Sequence, residues 1–167
     1  MPTTVNKTVI TTGGGDYTTL AAWEAARQRD LVAADEIEVV ECSGSTADTT
    51  ACDVSGWTTD ATRYIVIQSS GSNKHSGVWD TSKYRLSAAS GGWALLNRHN
   101  YTQIIGLQLS YSGATGRVLY YFTSTASLAL NGRVYNNILR NTNTGSGGFI
   151  ADFQRSNATS NVYFYNN

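Results

Sequence analysis

Apolar and polar positions along this chain follow two different periods, and the change comes early. In "DYTTLAAWEAARQRD" (residues 16–30), Leu20, Trp23 and Ala26 recur at helical spacing. Thr18 or Thr19 stands ahead of them as an N-cap. Arg27, Gln28 and Arg29 follow near the C-terminal end, where cations suit the helix dipole. A helix is predicted there. After residue 31 no helical period recurs. The pattern becomes short runs rich in β-branched and aromatic residues. "EIEVVEC" from Glu36 alternates apolar and acidic positions, and "RYIVIQS" from Arg63 is a short apolar run. "WALLN", "TQIIGLQLSYSG", "RVLYYF", "RVYNNILRN", "GGFIADF" and "NVYFYNN" follow. Gly, Ser, Asn and Thr separate them, as turns require.

The runs repeat. A step of thirty pairs Ile104 with Val134 and Phe164, and Ile105 with Tyr135 and Tyr165. The same step pairs Asn136 with Asn166, Asn137 with Asn167, Leu119 with Phe149 and Tyr120 with Ile150. A fixed period built from short strands and turns marks a solenoid, in which each coil buries its face by stacking on its neighbours. With no helix in each repeat, leucine-rich and ankyrin arrays are excluded. The expectation is an all-β chain, a parallel β-helix of two or three strands per coil. Asn136, Asn137, Asn166 and Asn167 would then form ladders, each side-chain amide bonding the next.

A family resemblance sharpens this expectation. "TTGGGDYTTLAAWEAA" resembles the N-terminal segment of right-handed parallel β-helix proteins of the pectate-lyase-like superfamily. There, a Gly-Asp-Tyr-Thr-Thr-hydrophobic stretch leads into a short helix that plugs the open end of the solenoid. "DLVAADEIEVVECSGS" followed by "SGWTTDATRYIVIQSSGSNKHSG" is similar to β-helix proteins encoded in tailed-bacteriophage genomes, which are virion components. The resemblance covers about residues 8–115, and the later coils match in pattern only. It implies one domain over residues 1–167: a strand and capping helix over about 1–31, with Leu20 and Trp23 in the plug, and coils over 32–167. It also implies a structural virion protein (capsid decoration, head fibre or tail-associated protein) made in the host cytoplasm. Its partners would be copies of itself or capsid and tail subunits. The same fold carries lyases, hydrolases and tailspikes, so a carbohydrate-binding or polysaccharide-cleaving role is the alternative.

At the other end, "VYFYNN" reads as an apolar strand in mid-coil with no counterpart of the plug. An open end exposes unpaired backbone and apolar surface. The expectation is therefore that the chain continues past Asn167 as the N-terminal part of a longer solenoid, or that another subunit covers this end.

Composition narrows the partners. Of 167 residues 14% are charged and the net charge is zero, so there is no electrostatic case for nucleic acid or an anionic membrane surface. No apolar run approaches the roughly 20 residues of a membrane span. "MPTTVNKTVI" lacks the basic and apolar regions of a signal peptide. Residues 1–80 carry eleven acids against five bases, and residues 81–167 seven bases against the single acid Asp152. Halves of about −6 and +6 suit head-to-tail association. The plainer alternative is a scatter of solvated surface charges, each contributing little.

Candidate chemistry is sparse. Cleavage of polysaccharides needs clustered carboxylates as acid and base or nucleophile. The best local cluster is Asp35, Glu36, Glu38 and Glu41, with Glu36 and Glu38 on one strand face. The preferred reading of that pair is the polar face of a first strand, which leaves Glu36, Glu38 and Asp152 as weak catalytic candidates. His75 and His99 stand apart from acids and cysteines, so no metal is expected. Gly13–Gly15 lacks the Gly-Lys-Ser/Thr ending of a phosphate loop, and no cofactor is expected. Cys42 and Cys52 are expected to be free thiols, with a loop disulfide as the alternative. The sequons at Asn6, Asn100 and Asn157 carry no weight without secretion. Seven of ten tyrosines lie between Tyr101 and Tyr165, interleaved with Arg117, Arg133, Arg140 and Arg155. Tyr120, Tyr135, Arg133 and Arg140 are thus candidates for a protein interface or a glycan-stacking face. The alternative is that these tyrosines stack within the coils.

Overall fold

The computed structural model describes residues 1–122, 131–142, 145, 147–154 and 161–167. Strand β1 (Thr3–Ile10) leads into helix α1 (Leu20–Arg27) and the short helix α2 (Leu31–Ala34). Then come β2 (Glu36–Ser43), β3 (Cys52–Val54), β4 (Ile65–Gln68), β5 (Arg85–Ala88), β6 (Trp93–Asn97), β7 (Thr102–Ile105), β8 (Gln108–Tyr111) and β9 (Gly116–Phe122). The series ends with β10 (Asn131–Tyr135), β11 (Ile138–Asn141), β12 (Gly148–Gln154) and β13 (Asn161–Tyr165). The protein is mostly β, as expected, and every strand pair is parallel.

The strands form three sheets, ordered β1-β2-β4-β7-β10-β13, β11-β8-β5 and β12-β9-β6-β3. From β4 onward the chain visits the six-, three- and four-stranded sheets in strict rotation. In the six-stranded sheet Val40, Ile67, Ile104, Val134 and Phe164 fall in one register row, and Glu41, Gln68, Ile105, Tyr135 and Tyr165 in the next. The thirty-residue step is thus a true strand register here. In the four-stranded sheet it is not. Arg117 pairs with Phe149, Leu119 with Ala151 and Tyr120 with Asp152, a step of thirty-two. The β8–β9 connection spans residues 112–115 and the β11–β12 connection spans 142–147, which is two residues longer. The expected pairings of Leu119 with Phe149 and Tyr120 with Ile150 are therefore off by two.

Corners explain where single predicted runs break in two. "TQIIGLQLSYSG" splits at Gly106 into β7 and β8, and "RVYNNILRN" splits at Asn136 into β10 and β11. Gly106, Asn136 and Asn166 all have positive φ (69°, 56° and 53°). Gly adopts that left-handed conformation freely, and Asn and Asp more cheaply than other residues. A Cβ at Gly106 would also lie 2.4 Å from the Ser69 carbonyl oxygen.

The core is a single cluster running between the sheets, from Val9, Leu20 and Trp23 through Ile67, Leu86 and Leu95 to Leu119, Tyr121 and Val134. Thr19 caps α1, its side-chain oxygen accepting from the Ala22 N–H at 3.1 Å. Leu20 and Trp23 are fully buried, whereas Ala26 is exposed and not part of the apolar face. The Trp23 ring stacks on Trp57 with centroids 5.6 Å apart. Helix α2 lacks the length for a visible period. It is held by Asp30, which accepts from the Ala33 N–H at 2.9 Å. No helix among the described residues is long and apolar enough to cross a membrane.

Candidate functional site

Of the acids singled out for catalysis, Glu36 and Glu38 share Arg29, and Asp152 does not join them. Glu36 and Glu38 lie on β2, whereas Asp152 lies on β12 in a different sheet. Nor is Glu38 on a polar face. Its strand buries Glu38, Val40 and Cys42 on one side, so the acidic positions at the start of β2 point toward α1. The fully buried Glu38 carboxylate accepts from the Trp23 indole N–H (3.1 Å), from Arg27 (2.9 and 3.0 Å) and from Arg29 (2.8 Å). Arg29 also donates to Glu36 at 2.6 and 2.9 Å. Asp152 pairs with Arg117. Glu38, whose two oxygens take four donors, is a structural anion. As a general acid or base it has no free lone pair to offer a substrate.

Two more acids serve the helix. Asp48 accepts from the Leu20 N–H (2.8 Å), the Tyr84 hydroxyl (3.1 Å) and the Thr50 N–H (3.1 Å), placing a negative charge at the N-terminus of α1. Glu24 accepts from the Ser55 N–H at 2.9 Å. Burial pushes both carboxyls above their ordinary values. Cys42 and Cys52 are free and buried, and burial pushes both thiols up, which keeps them inert. His75 donates from Nε2 to the Asn136 carbonyl (2.8 Å) and accepts at Nδ1 from the Gly77 N–H (3.0 Å).

Of the expected asparagine ladder, one row forms. The Asn137 amide nitrogen donates to Asn167 Oδ1 (3.0 Å) and to the Ile104 carbonyl (3.0 Å), and its oxygen accepts from the Leu107 N–H (2.9 Å). Asn167 in turn donates to the Val134 carbonyl at 3.1 Å. Asn136 and Asn166 serve instead as the left-handed corner residues.

The Tyr and Arg candidates belong to three separate faces. Tyr120 is on the four-stranded sheet, where Arg117 lies 4.3 Å from its ring centroid. Arg140, on the three-stranded sheet, lies over Trp79 at 5.6 Å. Arg133 and Tyr135 are on the six-stranded sheet, and Tyr135 stacks on Tyr165 at 4.9 Å with the rings nearly parallel. Arg155 lies outside the described residues.

What the sheet does assemble is a groove of about 420 Å³ across its outer face. Tyr64, Tyr101, Gln103, Asn131, Arg133 and Tyr163 line it, with Ala61 at one side. Parity puts them there. Gln103, Arg133 and Tyr163 share one register row and alternate with the buried Ile104 and Val134. The strand-entry residues are Tyr64, Tyr101 and Asn131. The Ile65 N–H donates to the Tyr101 carbonyl (3.2 Å), and the Tyr101 N–H donates to that of Asn131 (2.6 Å). Tyr101 itself has φ +50°, a costly conformation for a bulky residue, fixed by those two bonds. Gly132, between Asn131 and Arg133, faces inward, where a Cβ would lie 2.7 Å from the buried Tyr121 hydroxyl. Among the described residues the groove offers aromatic faces, amides and one cation, and no carboxylate. The thirty-residue step already pairs Tyr101 with Asn131 and Arg133 with Tyr163. Outward parity was the signal that would have completed the set.

No protein-family model, curated protein or solved structure matches this chain.

Proposed function

We propose that this chain is a right-handed parallel β-helix that works by contact rather than catalysis, as a structural component of a tailed-bacteriophage particle. The rotation of the chain through three parallel sheets, with residues thirty apart in register, supports the solenoid. The particle setting rests on the sequence resemblance over residues 8–115. The observation that carries the contact reading is the state of the acids: Glu36, Glu38 and Asp152 are all held by arginines, and no two of them face a common cleft outside the α1–β2 ion-pair network. Mass spectrometry of particles purified from the natural source tests it. The chain should be present in fixed copy number, and the purified chain should not turn over polysaccharide. Turnover abolished by Glu38→Ala or Asp152→Ala would overturn the reading.

The groove favours a second reading, a carbohydrate-binding β-helix. Tyrosine faces beside amide and guanidinium donors suit sugar rings and their hydroxyls. Such a site binds without cleaving, so the two readings are compatible.

A further inference from the structure

Arg133 differs from the other described arginines. Arg27, Arg29, Arg63, Arg98 and Arg117 each hold a carboxylate. Arg85 donates to two backbone carbonyls, and Arg140 lies over the Trp79 ring. Among the described residues Arg133 has no such partner, although it sits in the middle of the groove. Asp60, beside the groove wall at Ala61, is taken up by Arg63 and by the Thr62 and Arg63 backbone N–H groups. A guanidinium left over in a surface where the others are paired is a ready donor for an external carboxylate, which it can grip through two parallel bonds.

Its neighbours define the rest of the ligand. Tyr64 and Tyr101 flank it on one side and Tyr163 on the other, while Gln103 and Asn131 supply amide donors and acceptors. The lining comes from four adjacent strands or their entry residues, which spans about 14 Å at the usual strand spacing. That length suits a short oligosaccharide better than a single ring. The volume falls within the range of small-molecule sites.

We propose that this groove binds an acidic oligosaccharide, with Arg133 gripping a sugar carboxylate and Tyr163, Tyr64 and Tyr101 packing against the rings. The inference deepens the carbohydrate-binding reading and is independent of the virion setting. A panel of uronate- and sialate-bearing hexasaccharides, each with its carboxyl-reduced counterpart, tests it by calorimetric titration of the intact chain at low salt. A hexaglutamate peptide serves as the rival acidic probe. At least one acidic hexasaccharide should bind, and its reduced counterpart should bind about tenfold or more weaker. Arg133→Gln should cause a similar loss, and Tyr163→Ala a loss of roughly threefold to tenfold. Tyr120→Ala, on a different sheet, should leave binding unchanged. Far-UV circular dichroism and thermal midpoints matching the parent keep these losses attributable to the site. Three results would overturn the proposal. The first is equal binding of acidic and reduced sugars, which would spare the broader carbohydrate reading. The second is hexaglutamate binding that is indifferent to Tyr163→Ala, which points to an acidic protein partner. The third is a folded chain that binds no member of the panel.

Discussion

Ile104, Val134 and Phe164 occupy the same rung on three successive strands of one sheet, yet they meet different surroundings. The first two are fully buried, and Phe164 is 43% exposed. Around Ile104 the core runs back to Leu20, Trp23 and Leu31, all fully buried beneath α1 and α2. Phe164 meets the Phe153 ring, and Phe149, Ile150, Phe153 and Tyr165 from the same stretch of chain are all substantially exposed. Backbone pairing differs as well: β7 and β10 are paired on both sides, and β13, at the sheet edge, on one. Burial on this scaffold therefore goes with layers on both sides of a strand, and the helical end supplies a layer that is not seen over β12 and β13 among the described residues. Chemistry divides along the same line. Buried ions and their donors concentrate near α1, and accessible aromatic and cationic groups lie farther along the sheets.

The largest expected break in this comparison is Trp23→Ala. It should cost about 3–5 kcal/mol in denaturant unfolding, because it removes a fully buried ring and its stack on Trp57. Glu38→Ala comes next, at about 3 kcal/mol, since it strands the Arg27 guanidinium and the buried Trp23 indole N–H beside a new cavity. Glu36→Ala, at a quarter-exposed pair, should cost only about 1 kcal/mol. Asn137→Ala should cost about 2 kcal/mol by leaving the buried Leu107 N–H and Ile104 carbonyl short of partners. Phe164→Ala should cost about 1 kcal/mol at most, little more than its edge contact with Phe153.

A pH titration sharpens the picture further. His75 Nδ1 accepts from the Gly77 N–H, and His99 Nε2 from the Trp57 N–H at 3.3 Å. Neither bond survives protonation of that nitrogen. Burial holds both imidazoles below their ordinary value of 6.5, with the neighbouring Lys74 and Arg98 charges acting in the same direction. The unfolded chain therefore takes up protons first as pH falls. Stability is full above about pH 6.5 and declines below it, until the folded-state values are passed. His75→Gln with His99→Gln should flatten unfolding free energy measured between pH 7 and 5. A slope unchanged in the double variant would place it elsewhere.

Much of the scaffold was legible in the chain. Helix α1 announced itself by Thr19, Leu20 and Trp23, and the thirty-residue step foretold the register of β7, β10 and β13. Strands β3 and β5 were missed, because "CDV" and "RLSA" are too short and mixed to show alternation. The two-residue slip at β12 was hidden because connection lengths leave no periodic trace. Glu38 was read as a surface acid, since nothing local says that two arginines and an indole wait above it. The groove was half visible: the repeat pairs its residues, but two neighbouring tyrosines, Tyr64 and Tyr101, stand thirty-seven apart and escape a fixed step.

Native-state hydrogen exchange of the backbone amides tests the layered account most directly. It predicts a gradient along equivalent rungs. The Ile67 and Ile104 amides should open only with global unfolding, Val134 at intermediate cost, and Phe164 through cheap local fraying. Uniform protection across β4, β7, β10 and β13 would contradict it, and would mean that the exposed rung is held as firmly as the buried ones.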